Sequence, residues 1–285
     1  MYEVNQAIPE IELDTIAPDF ITGLDADYYI DHNNGTIPLS ELPIGAWVVD
    51  PSWEWEFRLG VDYSNYDEEG VTTGPGEVKP VTWIVVAKDH YDGIGSHVTL
   101  LSEELIGRYS FDSSTNREHE YAQYGYNHWG DSGNANAAYR LRPWLNSTGI
   151  HSGEGFYQAF SESFKNAVLN TTLPNKEWKN STTYSTNDRV FLPSTTELGD
   201  SAHNYTYLIG LAYPYFSGVD SAERIAHIGG ETWEYWMRSP DSRFGSLVKF
   251  VFIDGGFYAG QAYYDGDGVR PALNLRADVM VSEIK

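Results

Sequence analysis

The chain has 285 residues, 41% of them apolar, which is length and apolar content enough for one large domain or two small ones. Its formal net charge is −23, and residues 1–57 hold 12 Asp or Glu and no Lys or Arg, which argues against phosphate-backbone binding and leaves nucleic acid out of the expected partners. With no cysteine, a disulfide framework, a thiolate metal site and a cysteine nucleophile are all excluded.

No apolar run approaches the roughly 18–20 residues of a membrane span, so no membrane insertion is expected. Met1-Tyr2-Glu3-Val4 has neither a basic n-region nor an apolar h-region, so no signal peptide is visible. Residues 1–40 are acidic, with scattered Pro and Gly, and read as an N-terminal extension to a domain over 41–285. From Ala46-Trp47-Val48-Val49 the pattern is β. Thr82 to Ala87 is a short, β-branched apolar run typical of a buried strand, and His97 to Ser102 fits a partner across a turn containing Gly93 and Gly95. Residues 62–80 and 111–133 lack periodicity and read as loops.

Two helices are expected next. Ala137, Leu141, Trp144 and Leu145 share one face, with Asn136 as a cap and Pro143 marking a kink or restart. Phe156, Ala159, Phe160, Phe164, Ala167 and Val168 repeat at helical spacing after a cap at Ser152. Residues 175–188 read as a polar loop. Ser194-Thr195-Thr196-Glu197 is a capping-box pattern that should start a short helix. Thr232–Arg238, Leu247–Ile253 and Val269–Leu275 read as strands. Strands, two central helices and strands again make an α+β domain, with antiparallel strands and long loops, rather than a βαβ repeat.

The last fifth of the chain is the most informative. Tyr235-Trp236-Met237-Arg238-Ser239-Pro240 and Gly268-Val269-Arg270-Pro271-Ala272-Leu273 frame the insert 241–267, which holds 7 aromatics and 5 glycines. Aromatics mixed with Gly and small polar residues are the chemistry of a paratope, because rings supply contact area at low entropy cost. The candidate ligand-binding residues are Asp241, Arg243, Phe244, Phe250, Phe252, Ile253, Phe257, Tyr258, Tyr263, Tyr264 and Asp265. Strand alternation puts Phe250, Phe252 and Asp254 on one face and Val251 and Ile253 on the other; one set is core, and the resemblance set out below favours Val251. Arg238 and Arg270 read as buried or semi-buried scaffold guanidiniums that tie loops to carboxylates or carbonyls.

Catalytic signals are weak. The histidines include no HExxH spacing; His119-Glu120 begins one, but Gln123 stands where the second His belongs. Ser194 lacks a Gly-x-Ser-x-Gly setting. No pattern singles out a carboxylate pair for glycoside hydrolysis. Asp265-Gly266-Asp267-Gly268 lacks the remaining EF-hand ligands and reads as a turn. No catalytic residue and no cofactor are expected.

Six ordered blocks carry a resemblance. They are Pro80 to Val85, Leu141-Arg142-Pro143-Trp144-Leu145-Asn146-Ser147, Phe156 with Ala159-Phe160-Ser161, Asp188 to Ser194 with Glu197-Leu198, Trp236 to Pro240, and Gly268 to Leu273. Over roughly 41–280 the chain resembles a microbial domain family of unassigned function, whose members look like C-type-lectin-fold proteins related to formylglycine-generating enzymes. Some members resemble the variable proteins of diversity-generating retroelements, in which a C-terminal stretch is rewritten by adenine-specific mutagenesis and binds ligands. The resemblance implies a C-type-lectin-like fold with a variable region at about 237–270. It also implies receptor recognition of a protein or cell-surface glycan, display on a virion or cell surface, and room for one structural calcium ion with unnamed ligands. Formylglycine-generating enzymes work through cysteines, which this chain lacks, so that activity is not carried over. A fixed-specificity surface or carbohydrate-binding module is the alternative, followed by a cofactor-independent hydrolase.

Overall fold

In a computed structural model, the described residues are 25–57, 60–61, 72–73, 76–112, 126–130, 141–146, 155–179, 181–201, 205–264 and 266–284. Among the described residues the architecture is α+β: several largely antiparallel sheets with two short α-helices, Leu141–Asn146 and Glu162–Ala167.

The largest sheet has eight strands. In spatial order they are Val190–Phe191, Ala272–Arg276, His97–Ser102, Thr82–Lys88, Trp47–Val49, Tyr28–Ile30, Met280–Glu283 and Ile37–Pro38. Its one parallel pairing joins Tyr28–Ile30 to Trp47–Val49. Thr82–Lys88 and His97–Ser102 sit at the centre, and both are almost continuously buried. A strand covered on both faces needs an unbroken apolar run, and Trp83-Ile84-Val85-Val86-Ala87 supplies it. The turn between these strands takes Gly93 and Gly95 at φ 79° and 78°, a region that other residues enter at a steric cost.

An aromatic layer lies against this sheet. Trp53 meets Phe160 at 4.5 Å and Phe164 at 5.4 Å, Trp55 meets Phe156 at 5.0 Å, and Phe156 reaches Trp83 at 6.4 Å. Each of these rings contributes about 1.5–3 kcal/mol through burial alone.

The large sheet contains residues that the sequence assigned to an extension. Tyr28–Ile30 lies inside it, between Trp47–Val49 and Met280–Glu283, so the sheet begins well before residue 41. The 62–80 segment also carries short strands, Thr72–Thr73 and Glu77–Lys79, the second paired with Trp55–Phe57.

The helical region differs from the expected pattern too. Asn136, Ala137 and Ser152 lie outside the described residues, and Leu141–Asn146 holds Pro143 in its first turn, where no intrahelical N–H is needed. The long helix expected over 156–168 is instead a 3₁₀ turn, Phe156–Ala159, followed by Glu162–Ala167. The break falls at Ser161, whose backbone is extended and whose Oγ accepts from Phe164 N at 3.1 Å. The side chain therefore caps a new helix rather than continuing the old one.

The expected loop at 175–188 is half of an antiparallel hairpin, Thr171–Lys176 with Thr183–Asp188. It alternates buried and exposed, and its buried positions are mostly polar: Thr171, Asn175, Thr186 and Asp188. Asn274 joins it to the large sheet, accepting from Thr99 Oγ1 at 2.7 Å and donating to Thr171 Oγ1 at 2.8 Å. Asp188 accepts from Arg142 Nε at 2.6 Å and Trp129 Nε1 at 3.1 Å, which ties the hairpin to the Leu141–Asn146 helix. Among the described residues no helix is long and apolar enough to cross a membrane.

Candidate functional site

The insert 241–267 folds onto a three-stranded antiparallel sheet of Tyr235–Pro240, Leu247–Val251 and Phe257–Gln261. The first strand is buried along its whole length and carries the frame. The run Thr232–Arg238, expected as one strand, is divided: Glu231–Trp233 pairs with Ala226–Ile228 in a separate hairpin. The division falls at Glu234, whose carbonyl accepts from Gly268 N at 2.7 Å.

Arg238 anchors that strand. Its guanidinium meets the Glu197 carboxylate at 2.5 and 2.6 Å, with both side chains fully buried. A third N–H contact reaches Leu192 O at 2.9 Å. The same carboxylate accepts from Tyr91 Oη at 3.0 Å, Tyr213 Oη at 3.2 Å and Ser194 N at 2.8 Å. Burial opposes the charge on Arg238, but Glu197 outweighs it and holds the guanidinium protonated above its ordinary range. Burial, and then the Glu197 charge, push the Tyr91 and Tyr213 phenols well above theirs.

Both capping-box hydrogen bonds form, since Glu197 N also donates to Ser194 Oγ at 3.2 Å. The helix expected to follow stays a single turn. Gly199 ends it at φ +89°, and a Cβ there would stand 2.7 Å from Phe216 O. Arg270 is equally buried and serves carbonyls, donating to Ser102 O at 3.0 Å and Arg224 O at 3.2 Å.

The candidate binding residues divide by burial. Asp241 is fully buried. It accepts from Arg243 Nε and Nη2, both at 2.9 Å, and from Lys249 Nζ at 2.8 Å. Burial works against the Asp241 charge, yet the Arg243 and Lys249 hydrogen bonds hold its carboxyl below the usual range. Asp241 thus organises the 241–247 turn from inside. Phe257 is interior as well, at 7% exposure beneath the Arg224 guanidinium. Asp265 lies outside the described residues.

The rest reach the surface. Phe244 is 53% exposed, Tyr258 and Tyr264 49%, and Ile253 47%; Phe250, Phe252 and Tyr263 are half-buried and Arg243 is exposed. Val251 is fully buried, whereas Ile253, expected on the same face, is exposed because the strand ends at Val251 and the chain turns. Phe250 and Tyr258 are cross-strand partners with centroids 6.1 Å apart, and Phe252 stands 5.2 Å from Tyr258. Phe250 crosses Gly260, where a Cβ would come within 3.3 Å of the ring, and Trp236 backs it at 6.1 Å.

Residues outside the insert hold the two ends of this hairpin. Asn127 sits in the 241–247 turn: its N–H donates to Gly245 O at 2.8 Å, and its Nδ2 reaches Leu247 O at 2.7 Å and Phe244 O at 3.0 Å. A bridge joins Thr206 to Asp241, and the Arg243 guanidinium lies 4.4 Å over the Tyr205 ring. At the other end Arg224 Nε donates to Gly255 O at 2.8 Å. Nothing local in the sequence ties Asn127, Tyr205 or Arg224 to the insert, because each is distant along the chain and lies outside a periodic segment.

Exposed large apolar side chains consequently gather on two touching segments. Tyr205, Leu208 and Leu211 come from one, and Phe244, Ile253, Tyr258 and Tyr264 from the other; among the described residues only Ile44, Val78 and Met280 lie elsewhere. The described residues include no cluster of three or more His, Asp or Glu that could hold a metal ion, so no calcium ligands are assigned.

No curated protein and no solved structure gives a significant match to the chain. One family model does, described as Domain of unknown function (DUF6273), and it matches residues 95–277. That span takes in the central strand His97–Ser102, the Glu197–Arg238 pair, the whole insert and Arg270. Well over half of the chain lies within the match, and the chain belongs to this DUF6273 family.

Proposed function

We propose that this protein is a non-catalytic recognition domain that binds a ligand through the surface built by residues 241–264 and the adjoining 205–211 segment. The observation carrying the reading is the gathering of exposed aromatic and aliphatic side chains on two segments pinned from beneath by buried polar contacts. A scattered exposed apolar residue needs no explanation, whereas a concentration of them on two segments that meet at Tyr205–Thr206 and Asp241–Arg243 favours an interaction site.

Within this reading the α+β domain has C-type-lectin-like architecture, and the insert corresponds to the variable region of retroelement-type variable proteins. The ligand is a protein or cell-surface glycan, met from a virion or cell surface. Tyr258 and Tyr264 act as rigid amphipathic anchors, and Arg243 as a charged one. Buried Asp241 and Phe257 hold the surface in shape without touching the ligand.

The test has two parts. In the full chain, Tyr258→Ala with Tyr264→Ala is expected to lower stability by about 1 kcal/mol or less, as for surface positions. It should abolish binding to whichever member of a glycan array or cell-surface protein panel the parent protein recognises. A collapsed melting temperature would instead assign these rings to the core. Sibling copies of the gene address diversification: differences confined to exposed positions of 241–267 support it, and uniform divergence along the chain removes it.

A further inference from the structure

We propose that the Phe250–Phe252–Tyr258 face, with Asp254 beside it, docks a cationic side chain carried by a basic segment of a partner protein. The inference rests on the recognition reading above and names the chemistry of the partner.

Three observations carry it. The first is an aromatic surface that no Lys or Arg among the described residues covers. Phe250, Phe252 and Tyr258 contact one another at 5.2–6.4 Å between centroids. Elsewhere the chain places its own guanidiniums on rings: Arg108 on Trp233 at 4.1 Å, Arg243 on Tyr205 at 4.4 Å, and Arg224 on Phe257 at 4.8 Å. No described Lys or Arg covers Phe250, Phe252 or Tyr258; of the three rings Tyr258 is the exposed one, and it offers its π face to an incoming cation with half-buried Phe250 and Phe252 beside it.

The second is the polar group beside the rings. Asp254 is exposed, accepts from Gly256 N at 2.7 Å, lies 3.4 Å from Tyr258 Oη, and forms no ion pair among the described residues. The face therefore offers a carboxylate with spare lone pairs. Its one side-chain donor, the Tyr258 hydroxyl, is directed at that same carboxylate. A sugar needs donors as well as acceptors, while guanidinium and ammonium groups are donors only, and the second chemistry fits this set.

The third is the net charge of −23, which draws basic partners from a distance and repels acidic ones. A ring beneath a cation supplies the short-range contact that long-range attraction lacks.

The full chain is titrated with a blocked tetra-arginine peptide, a blocked tetra-glutamate peptide and a neutral oligosaccharide. Binding is followed through the aromatic NMR signals of Phe250, Phe252 and Tyr258. The arginine peptide is expected to shift these signals and the other two probes to leave them in place. Tyr258→Leu should weaken arginine binding roughly fivefold, and Asp254→Asn by about threefold with a shallower salt dependence. Both positions are exposed, and unchanged melting temperatures will confirm intact folds. Arginine binding that is equal in parent and variants would reduce the effect to general charge attraction and overturn the proposal. Loss of oligosaccharide binding in Tyr258→Leu, with no arginine binding in the parent, would overturn it while leaving the recognition surface standing. No shift with any probe at this face would overturn it, and binding to an array or panel that survives Tyr258→Ala with Tyr264→Ala would remove the recognition reading separately.

Discussion

Glu197 is one carboxylate with three duties. It closes the capping box on Ser194 and neutralises Arg238, and it also satisfies two buried phenols. Replacing it by Gln would leave a buried guanidinium without a counter-charge, a loss of about 3–5 kcal/mol. Glu197→Gln is therefore expected to unfold at markedly lower denaturant concentration, with the transition still cooperative. Asn127→Ala tests the second anchor. It removes the side-chain donor to Phe244 O and Leu247 O inside a buried turn, and a loss of about 1–3 kcal/mol is expected, with faster amide exchange over 242–247. The sequence revealed one half of each pairing. An arginine inside an apolar strand and close to a proline reads as scaffold, but its partner lies 41 residues away and was visible only as a helix cap. Asn127 left no signal, because a polar residue in an aperiodic stretch looks the same whether it faces water or the interior.

At the scale of elements, the apolar strands were the most legible. Trp47–Val49, Thr82–Lys88 and His97–Ser102 announce themselves by short apolar runs rich in β-branched residues, and the alternation of Leu247–Val251 marks it as a strand. The polar hairpin Thr171–Asp188 was hidden, because its buried positions are polar: Thr171 and Asp188 meet distant Asn274, Arg142 and Trp129, while Asn175 and Thr186 bond across the hairpin itself. The helix over 156–168 was overdrawn for a different reason: its apolar spacing is correct, but Ser161 captures Phe164 N and resets the backbone. The 252–256 turn shows how tightly one element constrains another. Gly255 takes φ +76°, and a Cβ there would come within 1.8 Å of Ser221 O. Gly255→Ala is expected to cost more than about 2 kcal/mol in a thermal melt, through backbone strain and overpacking together. Among sibling sequences, position 255 should stay Gly even where Ile253 and Tyr258 change.

At the scale of the whole molecule, the large sheet is closed by segments far apart in sequence. Asp31 accepts from Asn34 N, Asn33 N and Ser282 Oγ, and His32 Nε2 lies 3.0 Å from buried Asp50 Oδ2. Burial works against both charges but is outweighed: Asp31 is held below the ordinary carboxylate range, and His32 above the ordinary imidazole one. The Asp31 contribution is complete above the unfolded carboxylate value of about 3.9 and disappears as pH falls through its lower folded value. The His32 contribution is complete below about 6.5 and fades as pH rises through its higher folded value. Stability of this seam should therefore fall at both extremes. His32→Asn is expected to flatten the dependence of melting temperature between about pH 6 and 8. Deleting residues 1–40 removes the strand beside Trp47–Val49 and Met280–Glu283, and should lower the melting temperature sharply. An acidic segment without an apolar run reads as an extension, and the three residues Tyr28–Ile30 are too few to show a period.

That seam also has a mechanical consequence. Tyr28 stands opposite Glu283 and Ile30 opposite Val281 in an antiparallel ladder, so the chain enters and leaves the sheet at the same corner. Tension applied between the two ends would separate this ladder one hydrogen bond at a time, the weak direction for paired strands. A molecule tethered through one end alone never loads the ladder in that direction. Force-spectroscopy traces with handles at both ends should show this strand leaving first and at low force, before the Thr82–Lys88 centre of the sheet yields.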